Sequence, residues 1–262
     1  MDSIDFNVEN EFYERLKKAN SSKSFSEELE KRRSEISNLG LTYYLLKELN
    51  KYFPNKKIGK ILNLGGDLGL DLAIIQENGF EVDEMYSMDF YIPQYKIPKV
   101  KYIKGNIYNV STTFHGKKFD FIILKEVIEH LFNPDSVLIS LKTLLNENGL
   151  LFISTPNKGS FFNRIMLFLG YLPLCDEVST VVDVGKYGKY NRKGVCNGHI
   201  RTFTFKSLIE LLDYHGFKVK SATTVPSQKG ENNTFLISFE RALATFDKRL
   251  GSSIIVVCSN NI

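Results

Sequence analysis

Apolar positions along the chain fall into two regimes. From Phe25 to Phe53 they recur at near-helical spacing, with Leu29, Ile36 and Leu39 followed by Leu41, Leu45 and Leu49 among many charges. This reads as an N-terminal helical cap over residues 1–55, with Gly40 as a break within it. After Pro54 and a basic turn (Lys56, Lys57, Lys60), short apolar runs alternate with helical segments, the pattern of a parallel sheet wrapped by helices. Strands are expected at Ile58 to Leu64, Val82 to Met88, Val100 to Ile103, Phe119 to Leu124, Leu150 to Ser154, Lys218 to Ala222 and Ser253 to Cys258. The run from Phe119 to Leu124 is unbroken, as a central strand covered on both faces requires.

The helices between these strands carry their own punctuation. Leu70 to Asn78 is closed by Gly79; Phe205 to His215 opens on Thr204 and stops at Gly216. The clearest has Asn133 as N-cap, Pro134 in its first turn and Asp135 against the dipole. Its apolar face is Val137, Leu138, Leu141, Leu144 and Leu145, and Gly149 is expected to end it. A further helix is expected between Thr234 and Leu250, and a long insertion separates the fifth strand from Thr204. The sum is an α/β domain over residues 56–262: a seven-stranded, mostly parallel sheet with an antiparallel last strand, helices on both faces and an insertion at 155–203.

Composition narrows this picture only slightly. A length of 262 residues suits one α/β domain with a substantial core, and a formal charge of +4 is small for a nucleic-acid binder of that size. Cys175, Cys196 and Cys258 are widely spaced and form no C-x-x-C pair, which points to a reducing, cytoplasmic setting. The acidic start from Met1 to Glu11 has no secretory pattern, and the longest apolar stretch, Ile165 to Cys175, is too short to span a bilayer. Oligomeric state is not written in the sequence.

Candidate chemistry begins after the first strand. In Asn63-Leu64-Gly65-Gly66-Asp67-Leu68-Gly69, glycines between a buried strand and a helix let the backbone approach a nucleotide-like ligand closely. Asp89, at the end of the next strand and about 20 residues on, is placed to accept two hydrogen bonds from a ribose hydroxyl pair. Phe90 follows it at the same edge. A nicotinamide dehydrogenase is the rival for such a loop, but no register around Gly65 supplies G-x-G-x-x-G.

This combination resembles class I S-adenosylmethionine-dependent methyltransferases, and later segments sharpen the likeness. Residues Phe119-Asp120-Phe121-Ile122-Ile123-Leu124-Lys125-Glu126-Val127-Ile128-Glu129-His130 are similar to that family's fourth strand, with the Glu-x-x-Glu-His ending of its ubiquinone-biosynthesis-like branch. Gly149 to Asn157 resembles its fifth strand, and Gly198 to Thr204 the entry to the following helix. The resemblance runs from about Lys57 to the C-terminus and implies a Rossmann-like fold. It also implies that the loop from Gly65 through Gly66 to Gly69 holds the methionine part of S-adenosylmethionine, Asp89 the ribose, and Asn106 with Ile107 the adenine edge. Lys125 would border the methyl-transfer chamber. The chain departs from the family in having Asn63 where an acid is usual and Asp67 where glycine is usual. Aspartate tolerates left-handed backbone geometry, so Asp67 is expected to supply the carboxylate missing at Asn63.

Methyl transfer from a sulfonium needs alignment and, for some acceptors, a base. His130 and His199 are the candidate bases, since imidazole changes protonation near neutral pH, and Glu129 belongs to the same cluster. In some relatives a Glu-x-x-Glu-His cluster binds a divalent ion that orients acceptor hydroxyls. Glu126, Glu129, His130 and His199 offer oxygen and imidazole ligands for one, although a metal is not the favoured expectation. The insertion pairs an apolar half (Phe161, Phe162, Ile165, Met166, Leu167, Phe168, Leu169) with a basic half (Lys186, Lys189, Arg192, Lys193 among Tyr187 and Tyr190). The expected activity is methylation of oxygen on a small-molecule, glycan or lipid-linked acceptor. One alternative, from a different class, is a non-catalytic cofactor-binding module, favoured by Asn63 and Asp67; another is an RNA 2′-O-methyltransferase, favoured by the Glu-Glu-His cluster and disfavoured by the modest charge.

Overall fold

A computed structural model describes residues 39–66, 68–93, 96–188, 196–226 and 234–260. The chain order is α1 (Leu39–Tyr52), β1 (Lys57–Leu64), α2 (Leu70–Glu77), β2 (Glu81–Asp89), β3 (Val100–Lys104), β4 (Phe119–Lys125), α3 (Pro134–Leu144), β5 (Leu145–Pro156), α4 (Phe161–Phe168), α5 (Phe205–Tyr214), β6 (Phe217–Val225), α6 (Thr234–Phe246) and β7 (Ser253–Asn260). Short 3₁₀ turns at Ile107–Asn109 and Ile128–His130 follow β3 and β4.

The strands form one seven-stranded sheet in the order β3-β2-β1-β4-β5-β7-β6. β3, β2, β1, β4 and β5 pair in parallel, while β7 lies between β5 and β6 and runs antiparallel to both. The fold expected from the periodicity is therefore present. The last strand inserts between its neighbours and does not add at an edge.

Strand periodicity sends alternate side chains to opposite faces. Leu62, Leu64, Ile122, Leu124, Leu151 and Ile153 meet Val137, Leu138 and Leu141 of α3 and Leu208 and Leu212 of α5. Ile61, Phe121, Ile123 and Phe152 meet Leu41, Leu45 and Leu49 of α1 with Leu72 and Ile75 of α2. The apolar stripe of α1 is thus spent directly on the sheet. Gly40 is the second residue of α1, and the earlier part of the expected cap, with Leu29 and Ile36, lies outside the described residues.

Two of the boundaries that differ from expectation do so for one reason. Leu145 is a strand residue and Gly149 is not a helix stop: α3 ends at Leu144 and β5 begins at once. The register between β4 and β5 shifts between Phe119 and Phe121. A Cβ on Gly149 would stand 2.6 Å from the Phe119 carbonyl oxygen. Gly149 is there because the two backbones crowd each other at this irregularity.

Candidate active site

The C-terminal ends of β1, β2 and β4 meet along one edge of the sheet, where open α/β folds place their ligands. A cleft of about 300 Å³ lies there, lined by Gly65, Met88, Asp89, Phe90, Gly105, Ile107, Tyr108, Val127, His130, Leu131 and Phe132. The structure thus brings together Gly65, Asp89, Phe90, Ile107 and His130 of the residues expected from sequence. Main-chain bonds set this wall: Gly65 N–H donates to the Met88 carbonyl (2.9 Å) and Gly105 N–H to the Asp89 carbonyl (2.9 Å).

Local sterics explain the glycine loop. Gly65 has φ of +64°, and a Cβ there would meet Val127 Cγ2 at 2.5 Å. A Cβ on Gly66 would lie 2.6 Å from Asn63 Nδ2 and 2.8 Å from Ser87 Oγ. Asn63 and Ser87 are register partners on β1 and β2, both buried, and among the described residues Nδ2 and Oγ have no hydrogen-bond partner. Buried polar atoms in that state are costly and call for a ligand or water. Gly69 caps α2 in the left-handed conformation, and Asp67 lies outside the described residues.

Other expected residues are placed differently. Asn106 is exposed and its Oδ1 accepts the Tyr108 N–H (3.1 Å), so its side chain caps the turn beside the cleft. Lys125 is not among the lining residues. Its ammonium is drawn to the α1/α2 face, 2.6 Å from Asp71 Oδ1 and 3.0 Å from Thr42 Oγ1. Asp71 is nearly buried, and a charge in that position must be paired. Lys186, in the basic half of the insertion, is buried in an ion pair with Asp183 (2.8 Å), while Lys189, Tyr190, Arg192 and Lys193 lie outside the described residues.

At His130 and behind it the structure gathers the residues expected to act as acid or base. The His130 and His199 rings lie 5.0 Å apart. Glu129 is buried and its Oε2 accepts the Thr155 hydroxyl (2.9 Å). Ligand-type atoms of Glu129, His130 and His199 all fall within 4.8 Å of one another. His130 Nδ1 faces the Gly198 carbonyl at 3.0 Å, and His199 Nδ1 faces the Cys175 carbonyl at 2.8 Å. A carbonyl only accepts, so each Nδ1 carries the proton and Nε2 is the lone-pair nitrogen of the neutral ring. Glu126 sits at φ of +54° and its Oε1 accepts the Ser154 hydroxyl (2.9 Å), which ties the end of β4 to β5.

Sequence reasoning missed Tyr108, Leu131 and Phe132. The Tyr108 hydroxyl accepts the N–H groups of Phe132 (2.8 Å) and Asn133 (3.2 Å), joining the turn after β3 to the start of α3. Phe132 is 72% exposed at the cleft mouth, an aromatic directly after the Glu-x-x-Glu-His segment, and that was the available signal.

Comparison with known proteins gives a consistent picture. A family model described as a methyltransferase domain matches residues 36–222, which takes in α1. A ubiquinone biosynthesis O-methyltransferase of Glaesserella parasuis is 57% identical over 42 residues, 16% of this chain and 18% of that protein. The chain therefore spans less than a fifth of the length of this curated relative. A SAM-dependent methyltransferase from Archaeoglobus fulgidus superposes at TM-score 0.52 and 16% identity, covering 83% of this chain and 93% of its own. The 1,6-didemethyltoxoflavin-N1-methyltransferase of Burkholderia thailandensis, solved with 1,6-didemethyltoxoflavin and S-adenosylhomocysteine, covers 100% of this chain and 93% of its own at 14% identity and TM-score 0.54. At such identities the likeness to solved structures is one of fold.

Proposed function

The chain belongs to the methyltransferase-domain family, and from that premise we propose that it transfers a methyl group to oxygen on a small-molecule, glycan or lipid-linked acceptor. Its methyl donor is S-adenosylmethionine. The observation that carries the reading is that Gly65, Asp89 and His130 line one cleft. The residues present fit the donor: Gly66 leaves room that a Cβ would fill, and Asn63 Nδ2 and Ser87 Oγ wait beneath it unpartnered. Gly65, Gly66 and Gly69 would hold the methionine part, Asp89 the ribose hydroxyls, and Phe90 with Ile107 the flanks of the base. When bound, the donor supplies an activated sulfonium methyl, so the protein's own work is alignment and proton removal.

His130 is the candidate for the proton. It stands in the cleft lining with Nδ1 committed to Gly198, so Nε2 takes the proton from the acceptor hydroxyl. The imidazolium so formed has the Glu129 carboxylate 4.0 Å from Nε2. The short segment shared with an O-methyltransferase supports oxygen; the N-methylating enzyme of like fold shows that this architecture also serves nitrogen. Incubation with methyl-labelled S-adenosylmethionine and a metabolite extract, followed by isolation of the labelled product, tests both halves. A labelled ether or ester is expected. A labelled amine overturns oxygen as the acceptor atom, and absence of donor binding overturns the whole reading.

A second reading rests on the proximity of Glu129, His130 and His199: a divalent ion held there would orient neighbouring acceptor hydroxyls. Turnover lost to a chelator and restored by one added cation would establish it. An undiminished rate after chelation ends it.

A further inference from the structure

Glu177, in the middle of the insertion, makes an arrangement that the methyl-transfer reading has not used. Its Oε2 accepts the N–H groups of Gly198 (2.8 Å) and His199 (3.1 Å), and its Oε1 accepts that of Asn197. Three successive amides turned toward one anion form a nest, and Gly198 supplies the left-handed residue that such a turn needs, with φ of +83°. Burial works against charge on the carboxyl, but the three amides outweigh it and hold Glu177 below the ordinary glutamate range.

The gripped segment is the one that orients both imidazoles. Gly198 turns its carbonyl to His130 Nδ1, and His199 is itself the third amide of the nest. Cys175, two residues before Glu177, offers its carbonyl to His199 Nδ1. From the other side, the N–H groups of Ile200 and Arg201 both donate to the Glu129 carbonyl, at 2.8 and 2.9 Å. Residues 197–201 are thus stitched between one carboxylate in the insertion and one main-chain oxygen after β4.

We propose that Glu177 is the positioning residue of the acceptor side: its hold on the amides of residues 197–199 keeps His130 and His199 in the Nδ1–H tautomer, and His130, in the cleft lining, thereby presents Nε2 to the acceptor. This rests on the methyl-transfer reading for its purpose but not for its test. The carboxylate acts through the two histidines and is not itself in the cleft lining.

The test uses the full chain labelled with ¹⁵N-histidine, as wild type, Glu177→Ala and Glu177→Gln. Long-range ¹H–¹⁵N spectra report the ring tautomer directly, and calorimetry with S-adenosylhomocysteine reports the cofactor cleft. In wild type both rings should show the Nδ1–H tautomer. In Glu177→Ala they should relax toward the mixed tautomers of free histidine while affinity for S-adenosylhomocysteine is unchanged. Glu177→Gln retains one accepting oxygen and should fall between the two; it also serves if the alanine variant does not fold. Unaltered tautomers in a folded variant overturn the proposal, as does affinity lost in step with the tautomers. Wild type that takes up no S-adenosylhomocysteine sinks the methyl-transfer reading alone, because the tautomers still decide the role of Glu177.

Discussion

The two walls of the cleft are built by different means. On the wall we assign to the cofactor, Gly65 and Asp89 stand at the ends of adjacent parallel strands, fixed by a register that pairs Leu64 with Met88 and Asp89 with Lys104. On the side we assign to the acceptor, His130 in the lining and His199 beside it are held by carbonyls 68 and 24 residues away in sequence. One wall is carried by the sheet and the other by a loop folded back over it. The first is rigid as soon as the core packs; the second depends on a few side-chain-to-main-chain bonds, the usual place for a fold to vary its chemistry.

The strongest way to break this comparison is to remove His130. His130→Ala should lower kcat by about 10² to 10⁴, the range for loss of a general base, while affinity for S-adenosylhomocysteine stays within about twofold by the near-additivity of separate sites. Equal losses in both would mean that the walls are one unit. Asp89→Ala tests the other side. Two charge-assisted hydrogen bonds to a ribose would be lost, so donor affinity should weaken about ten- to hundredfold. With saturating donor, kcat should be nearly restored; a kcat that stays low would move Asp89 from binding to chemistry.

The same division explains what could be read in the sequence. Gly65 and Asp89 were legible because strand periodicity and a strand-to-helix glycine turn fix where they must emerge, whereas Ile107 came only with the resemblance to the methyltransferase family. Lys125 was placed at that edge by the family resemblance, yet as the last residue of β4 its side chain follows Phe121 and Ile123 to the α1/α2 face and is claimed by Asp71. An ion pair across 54 residues leaves no local signal. Leu145 fitted the helical stripe of α3, and only the β4–β5 irregularity, a tertiary event, turned it into a strand residue. Glu177 was invisible for a related reason: its partners are backbone amides, which any sequence would offer.

The mildest test lies on the same strand as Asp89 but in its first half, away from the cleft. Glu84 of β2 accepts from Lys101 Nζ (2.6 Å) and from the Tyr86 hydroxyl, with Lys60 Nζ at 3.2 Å. The Lys101 hydrogen bond, then those of Tyr86 and Lys60, pull its carboxyl from 4.5 down to about 2. A depressed folded-state value means stability that is fully present above the ordinary carboxylate range and is lost as pH falls through the folded value. Glu84→Gln should therefore melt slightly below wild type at neutral pH. The two curves should converge between pH 4.5 and about 2, where wild type loses the same contribution. Because these groups are on the surface, added salt should shrink the difference. Donor affinity should not move, since nothing in this half of β2 reaches the cleft. If Glu84→Gln weakened donor binding as Asp89→Ala does, the sheet would be transmitting strain along the strand, and register alone would no longer account for the cofactor wall.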